Sequence, residues 1–287
     1  MVRSLSDKMF ESVISIILIG LAVVTLFPLL YVFAVSITPY SEVLKHGGFL
    51  IIPRSITFEA YQSFLSQPLI PKSYQVTIFI TVVGTLVNLV LSVLMAYPLC
   101  RKELPGRNAI LFLVVVTMLF SGGIIPTYLI VKATGLINSV WAMILPNAIS
   151  AFYMLLIKTF IEGLPSEFSE SAKIDGAGET RILLVIILPL SKPVLATIGL
   201  FYAVSHWNEF FQAIIYINDS SKHPLQVVLR NILSASTSNE IIHAEVYMPT
   251  ETMQMAAVVL TTVPILVVYP FIQKHFTKGM LLGGIKG

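Results

Sequence analysis

The stretch Glu170-Ser171-Ala172-Lys173-Ile174-Asp175-Gly176-Ala177-Gly178, followed at a distance by Ile186-Ile187-Leu188-Pro189, decides how this chain is read. Just upstream, Pro165 and Ser166 make a helix start, because proline is tolerated in the first turn and serine can cap. The spacing predicts a short amphipathic helix to about Asp175, ended by Gly176 as the left-handed residue. On that helix Phe168, Ala172 and Asp175 fall at i, i+4 and i+7, on one side. The small residues Ser171 and Ala172 let another surface come close. A second short helix is predicted from Glu179 to Leu188, stopped at Pro189 and Pro193.

This polar segment is set in a very apolar chain. Of 287 residues, 56% are hydrophobic and only 11% charged, with a mean hydropathy of +0.86. A soluble domain carries about 25% charged residues, so the solvent for most of this surface is lipid. Runs long enough to cross about 30 Å of hydrocarbon, roughly 20 residues each, fall near 13–37, 75–99, 109–131, 139–161, 193–217 and 253–273. Pro146 and Asn147 soften the fourth, and His206, Asn208 and Glu209 the fifth, so five spans is the fallback if the fifth is re-entrant. The first run follows Arg3 and Lys8 but far exceeds the 7–15 residues of a signal-peptide core, and it is read as a retained span.

With the N-terminus inside, twelve Lys and Arg lie on the cytoplasmic side and six outside, although the external loops are longer. The expectation is an all-α integral membrane protein, one domain over 1–287 with six transmembrane helices and both termini cytoplasmic. A coupling loop occupies 162–192, and external loops occupy 38–74, with a short helix from Phe58 to Leu65, and 218–252. Cys100 is the single cysteine, which excludes an intrachain disulfide and a thiolate metal cluster. Dispersed basic residues and a net charge of +3 give no footprint for nucleic acid.

The 170–189 pattern resembles the EAA loop of binding-protein-dependent ABC importer permeases: Glu-Ala-Ala, three residues, Gly, nine residues, Ile-x-Leu-Pro. Glu170, Ala172, Gly176, Ile186, Leu188 and Pro189 match at that spacing, and Ser171 replaces the first alanine. The resemblance implies a type I importer permease fold in a bacterial cell (inner) membrane. It also implies a coupling helix seated in a cleft of the ATP-hydrolysing subunit through Phe168, Glu170, Ser171, Ala172, Asp175, Gly176, Ala177 and Gly178. The implied partners are a second, non-identical permease, two ATP-binding subunits and an extracytoplasmic solute-binding protein docking on 218–252. ATP and Mg belong to the partner subunits and no cofactor to this chain. Ser121-Gly-Gly-Ile-Ile-Pro-Thr-Tyr128, Leu136-Ile-Asn-Ser139, Trp207-Asn-Glu-Phe-Phe211 and the tail Lys278–Gly287 look like the maltose-type second permease, especially its branch importing complex oligosaccharides.

Polar groups inside a membrane are costly and are candidates for function. His206, Trp207, Asn208, Glu209 and Gln212 cluster in the fifth span, and on a continuous helix His206, Glu209 and Gln212 share a face. Sugars bind to flat aromatic faces and to planar amides or carboxylates that match paired hydroxyls, chemistries that Trp207, Asn208 and Glu209 supply. Two readings stand: this segment lines a translocation path, or it bonds neighbouring helices. The same choice applies to Asn88 and Asn147. Gly122-Gly123 permits a bend or a close approach at the outer part of the third run, and Tyr128 reads as an interfacial anchor.

No G-x-x-x-x-G-K-[ST] occurs, so energy has to come from partners. A gradient-driven transporter would need paired buried charges or inverted repeats, and a membrane enzyme a nucleophile–base pair; neither pattern is present. A permease of the same class carrying a non-sugar solute is the nearer alternative.

Overall fold

The structure is a computed structural model that describes residues 5–48, 50–235 and 250–283. In chain order the helices are α1 (Leu5–Ser36), α2 (Tyr40–Lys45), α3 (Glu59–Leu65), α4 (Leu69–Cys100), α5 (Arg107–Leu119) and α6 (Ile124–Ala133). Then follow two 3-10 turns, Val140–Met143 and Leu145–Asn147, and α7 (Ala151–Glu162), α8 (Glu167–Ile174) and α9 (Glu179–Ile182). A π-helical turn, Leu183–Ile187, leads into α10 (Leu188–Leu190) and α11 (Lys192–Trp207). The chain continues through α12 (Phe211–Tyr216), α13 (Leu225–Ala235) and α14 (Glu251–Gly283). Among the described residues there is no strand.

Among the described residues two helices are long and apolar enough to cross a bilayer, Met9–Ser36 within α1 and the whole of α4, and the count reaches five, short of the six expected, if each of three bent pairs is one span. The run at 109–131 is folded back by 116° between α5 and α6, where Gly123 takes φ +86°. The fourth run bends by 53° at the Pro146-Asn147 turn. The sixth run lies on α14, where Glu251–Val267 is a shorter apolar stretch.

The chain divides into two compact units. The first comprises Met1–Ile70 and Leu229–Val263. Within it α1 is apolar on every face and almost bare until its last turn, where Ala34, Val35 and Ser36 are buried. A helix hydrophobic all round is stable only where lipid or protein covers it. The segment between α1 and α4 is ordered by specific bonds: Tyr31 Oη donates to the Gly48 carbonyl (2.6 Å), and the backbone of Thr57 to that of Ile37 (2.8 Å). Glu42 accepts from the Arg54 amide (3.2 Å) and from the Ser55 hydroxyl. The single short helix expected from Phe58 is α3, starting one residue later, and α2 and α13 are additional.

The second unit comprises Pro71–Val228 and Pro264–Gly287. Its main core joins spans and loop: Val93, Ala96 and Tyr97 of α4, Val114 of α5, Met154 and Ile157 of α7, Ile182 and Ile187 of the loop, and Ile198 and Tyr202 of α11. Along α4, Gly84, Asn88 and Ser92 repeat every four residues and so form one face, which meets α11. Ser92 Oγ lies 2.8 Å from Tyr202 Oη, and the Cβ of a residue replacing Gly199 would come within 3.1 Å of Leu89. Small residues that let backbones approach, with polar groups bonding across, are the usual means of joining helices in lipid.

Asn138 of the Leu136–Ser139 motif sits at φ +61°, a conformation asparagine tolerates. Its side-chain oxygen accepts from the amides of Asn218 and Asp219 (3.2 and 3.0 Å), and its carbonyl from Lys222 Nζ (2.9 Å). The motif therefore pins the turn after α6 to the turn after α12. Tyr128 stacks on Tyr216 at 6.3 Å.

A Cβ on Gly84 would lie 2.5–2.9 Å from the His206 ring, whereas one on Gly122 meets nothing within 4 Å. Gly84→Ala is expected to destabilise the protein by about 1–3 kcal/mol through overpacking, and Gly122→Ala to leave it near wild type, in thermal melts in mild detergent.

Candidate functional site

Two groups of side chains in the second unit carry the functional chemistry. The first is the loop between α7 and α11. Helix α8 ends in a Schellman arrangement: Ala177 N donates to Ala172 O (2.9 Å) and Gly176 N to Lys173 O (3.0 Å), with Gly176 at φ +77°. Ala172 and Ala177, the two residues that such a motif brings into apolar contact, both pack on the main core. Phe168 and Ile174 remain 48% and 86% exposed, and Glu170, Ser171, Asp175, Gly176 and Gly178 are exposed too. The loop thus presents a projecting helix whose inner side is anchored and whose outer side is free.

Three details differ from the sequence reading. Phe168 and Asp175 are exposed, whereas Ala172 turns toward this chain's own core, because the short helix needs one apolar foothold. Ser166 has helical backbone angles and makes no side-chain cap. The second loop helix does not stop at Pro189. It runs from Glu179 to Leu190 through the π turn and meets α11 at 80°. A proline ring crowds the carbonyl four residues back and offers no N–H, and a widened turn before it accommodates both.

Sequence reasoning missed Glu179. One of its carboxylate oxygens accepts from Tyr97 Oη (2.6 Å) and from Arg101 Nη2 (2.8 Å), and the other pairs with Lys173 Nζ (2.9 Å). Arg101 Nη2 also donates to Tyr97 Oη (2.6 Å), with its guanidinium 4.9 Å from that ring's centroid. The Tyr97 hydroxyl, with burial opposing it, and then Lys173 and Arg101 hold the Glu179 carboxyl down at about 2, so it is ionised at physiological pH. The only sequence signal was a tyrosine and an arginine one turn apart at the end of a span, far from the loop in the chain. Nearby, Glu162 pairs with Arg107 and Lys158, each at 2.7 Å. Between these pairs and Ser166 and Ser169 lies a cleft of about 430 Å³.

The second group is the intramembrane polar set, which the structure divides. His206 and Asn88 are 5% and 2% exposed, with Asn88 Nδ2 3.1 Å from His206 Nε2. An amide nitrogen can only donate, so Nε2 accepts. Both residues belong to the α4–α11 seam rather than to an open surface, and Trp207 is likewise buried at 9% exposure. The shared face of His206, Glu209 and Gln212 is also lost, because α11 ends at Trp207 and the backbone breaks before α12. In that break Asn208 is exposed, and Glu209 Oε1 accepts from the Gln212 amide (3.0 Å). With its amide turned so that Nε2 faces the carbonyls, the Gln212 side chain donates to Ala142 O and Met143 O (3.2 Å each), and its oxygen accepts from Asn147 Nδ2. Asn147, Asn208, Glu209 and Gln212 therefore gather where two helical paths are interrupted. Irregular backbone at membrane depth is tolerated where protein or a polar cavity meets it. Among the described residues no three His, Cys, Asp or Glu converge as metal ligands.

Broken apolar spans packed over an exposed, anchored loop fit a membrane-embedded transport subunit. The chain belongs to the family described as binding-protein-dependent transport system inner membrane component, which it matches over residues 7–282, and it is a permease subunit of an ABC importer. Two relatives come from Bacillus subtilis (strain 168). The polygalacturonan/rhamnogalacturonan transport system permease protein YtcP is 46% identical over 287 residues, 99% of this chain and 100% of that protein. Protein LplC is 47% identical, over 98% of this chain and 96% of its own length. Among solved structures, a bacterial ABC transporter involved in the import of the acidic polysaccharide alginate matches with a TM-score of 0.88 at 33% identity, covering 96% of this chain and 99% of that one. A bacterial alginate ABC transporter in complex with an alginate pentasaccharide-bound periplasmic protein matches at 0.60 and 14% identity over 93% of each chain, a likeness of fold alone.

The strain of the loop turn is checkable. A methyl group added at Gly176 or at Gly178 would meet no atom within 4 Å, but only Gly176 is left-handed. Gly176→Val is expected to cost about 1–2 kcal/mol locally and to speed amide exchange across 172–178, whereas Gly178→Ala leaves that exchange unchanged.

Proposed function

We propose that this chain is one of two permease subunits of an ATP-driven importer of oligosaccharides, with α8 as its contact to the ATP-hydrolysing subunits. The observation that carries the coupling role is the projecting α8, fixed at its C-terminal end by the Gly176 turn and free along Phe168, Glu170, Ser171 and Asp175. The cargo assignment rests on full-length similarity to a permease whose name specifies polygalacturonan and rhamnogalacturonan. Asn208, Glu209, Gln212 and Asn147 supply the amides and carboxylate that pair with sugar hydroxyls. In this reading the chain crosses the inner membrane six times with both termini in the cytoplasm, each bent pair acting as one crossing and α14 as the last.

The cycle follows from those parts. Two ATPase subunits bind ATP and Mg and close. They carry α8 with them, and the permease pair turns outward. A loaded solute-binding protein docks on the external loop 218–252, of which 236–249 lie outside the described residues, and releases its sugar into the path. Hydrolysis resets the complex. Residues 284–287 of the glycine-rich tail, like 236–249, lie outside the described residues.

Two measurements on the importer reconstituted with its partners test this. Gly176→Val is expected to insert normally, to keep hydrolysing ATP and to lose most uptake of labelled oligogalacturonide; normal uptake would remove the coupling role of the loop. Glu209→Gln, by weakening one hydrogen bond of about 0.5–1.5 kcal/mol, is expected to raise the half-saturating sugar concentration roughly 2–10-fold with ATPase activity unchanged. An unaltered value would take Glu209 off the path.

A further inference from the structure

Glu179 stands at the start of the second loop helix and bonds at once to α8 and to the end of α4. Lys173 is on α8, Tyr97 is on α4 and Arg101 follows it directly, and all three meet the same carboxylate within 2.6–2.9 Å. The other end of α8 is differently placed. Ser166 and Ser169 line the cleft of about 430 Å³ together with Tyr97, Arg101, Lys102, Arg107 and Glu162. Near Ser166 α8 borders that cleft, while at Lys173 it is bonded through Glu179 to Tyr97 and Arg101. The C-terminal end of α8 is therefore the end through which force reaches a span.

Resting on the coupling reading above, we propose that Glu179 is a positioning residue that latches α8 to α4, so that the two move together when the ATPase subunits close. From α4 the displacement continues through a close-packed contact, the Gly84, Asn88 and Ser92 face against Tyr202 and His206. It ends at the break after Trp207, where Asn208, Glu209 and Gln212 lie. The latch has two properties a moving part needs. Its ion pairs are partly exposed, so they add little to stability and can break and reform. Its geometry is nevertheless specific, because a guanidinium, a phenol and an ammonium converge on the two oxygens of one carboxylate.

The test is the number of ATP molecules hydrolysed per sugar imported by the complete importer in proteoliposomes. Glu179→Gln is expected to assemble normally and to raise that ratio at least roughly five-fold, the lower range of a coupling free energy between sites. Exchanging all three charges, with Lys173→Glu, Arg101→Glu and Glu179→Arg in one chain, is expected to bring the ratio back toward wild type, which a purely structural role would not do. Glu162→Gln, which breaks pairs across the cleft without touching α8, serves as the control and is expected to leave the ratio unchanged. An unchanged ratio in Glu179→Gln while Gly176→Val still uncouples would overturn the latch alone. If neither variant uncouples, the coupling role of α8 falls with it. An equal rise in Glu162→Gln would show general weakening of the loop and would also overturn the latch.

Discussion

Helix α4 is held on one side by a close contact that tolerates almost no side chain, and much of the second unit is arranged around that contact. Gly84 lets the His206 ring lie where a methyl group would be, and one turn further on Asn88 bonds the same ring. In lipid there is no hydrophobic gain from bringing two apolar helices together, so close packing and interhelical hydrogen bonds have to do it. Removing side-chain bulk at 84 and 199 and placing Asn88, Ser92, Tyr202 and His206 along the seam satisfies both requirements. The far end of the same helix, through Tyr97 and the Arg101 that follows it, then reaches the loop. In the proposed cycle, one helix thus touches both the part that ATP moves and the part that sugar meets.

The helices bend where the chain needs polar groups at depth. Continuous α-helix satisfies its own backbone and offers lipid a uniform apolar surface, but it also hides its amides and carbonyls. Interrupting the fourth run at Pro146-Asn147 and the fifth after Trp207 exposes carbonyls at 142 and 143, which Gln212 reaches, and gathers Asn147 and Glu209 around them. Transport proteins that bind solutes near mid-membrane use discontinuous helices for the same reason.

Much of this was legible in the residues. Apolar runs of spanning length and a helix-ending glycine inside a polar loop follow from local chemistry: the length of hydrocarbon to be crossed, and the need for a left-handed residue at 176. The Gly123 bend was legible in the same way, since few residues other than glycine take φ near +86°. The reading that puts His206, Glu209 and Gln212 on one face, by contrast, assumed that helical phase continues from 206 to 212. It does not: the polar residues His206, Asn208 and Glu209 mark a weak point in the fifth run, but they do not give the phase at which α12 resumes.

The sequence by itself determined the solvent, the helical class, the position and shape of the Gly176 turn and the family of transporter. Each of these depends on composition or on residues within a turn or two of one another. Only the tertiary structure decided which polar residues inside the membrane are joints and which are accessible, and only it brought Glu179 to Tyr97 and Arg101. Those outcomes depend on which helix faces which. That choice is made by close packing between residues some eighty to a hundred and twenty positions apart, and no periodicity within one segment encodes it.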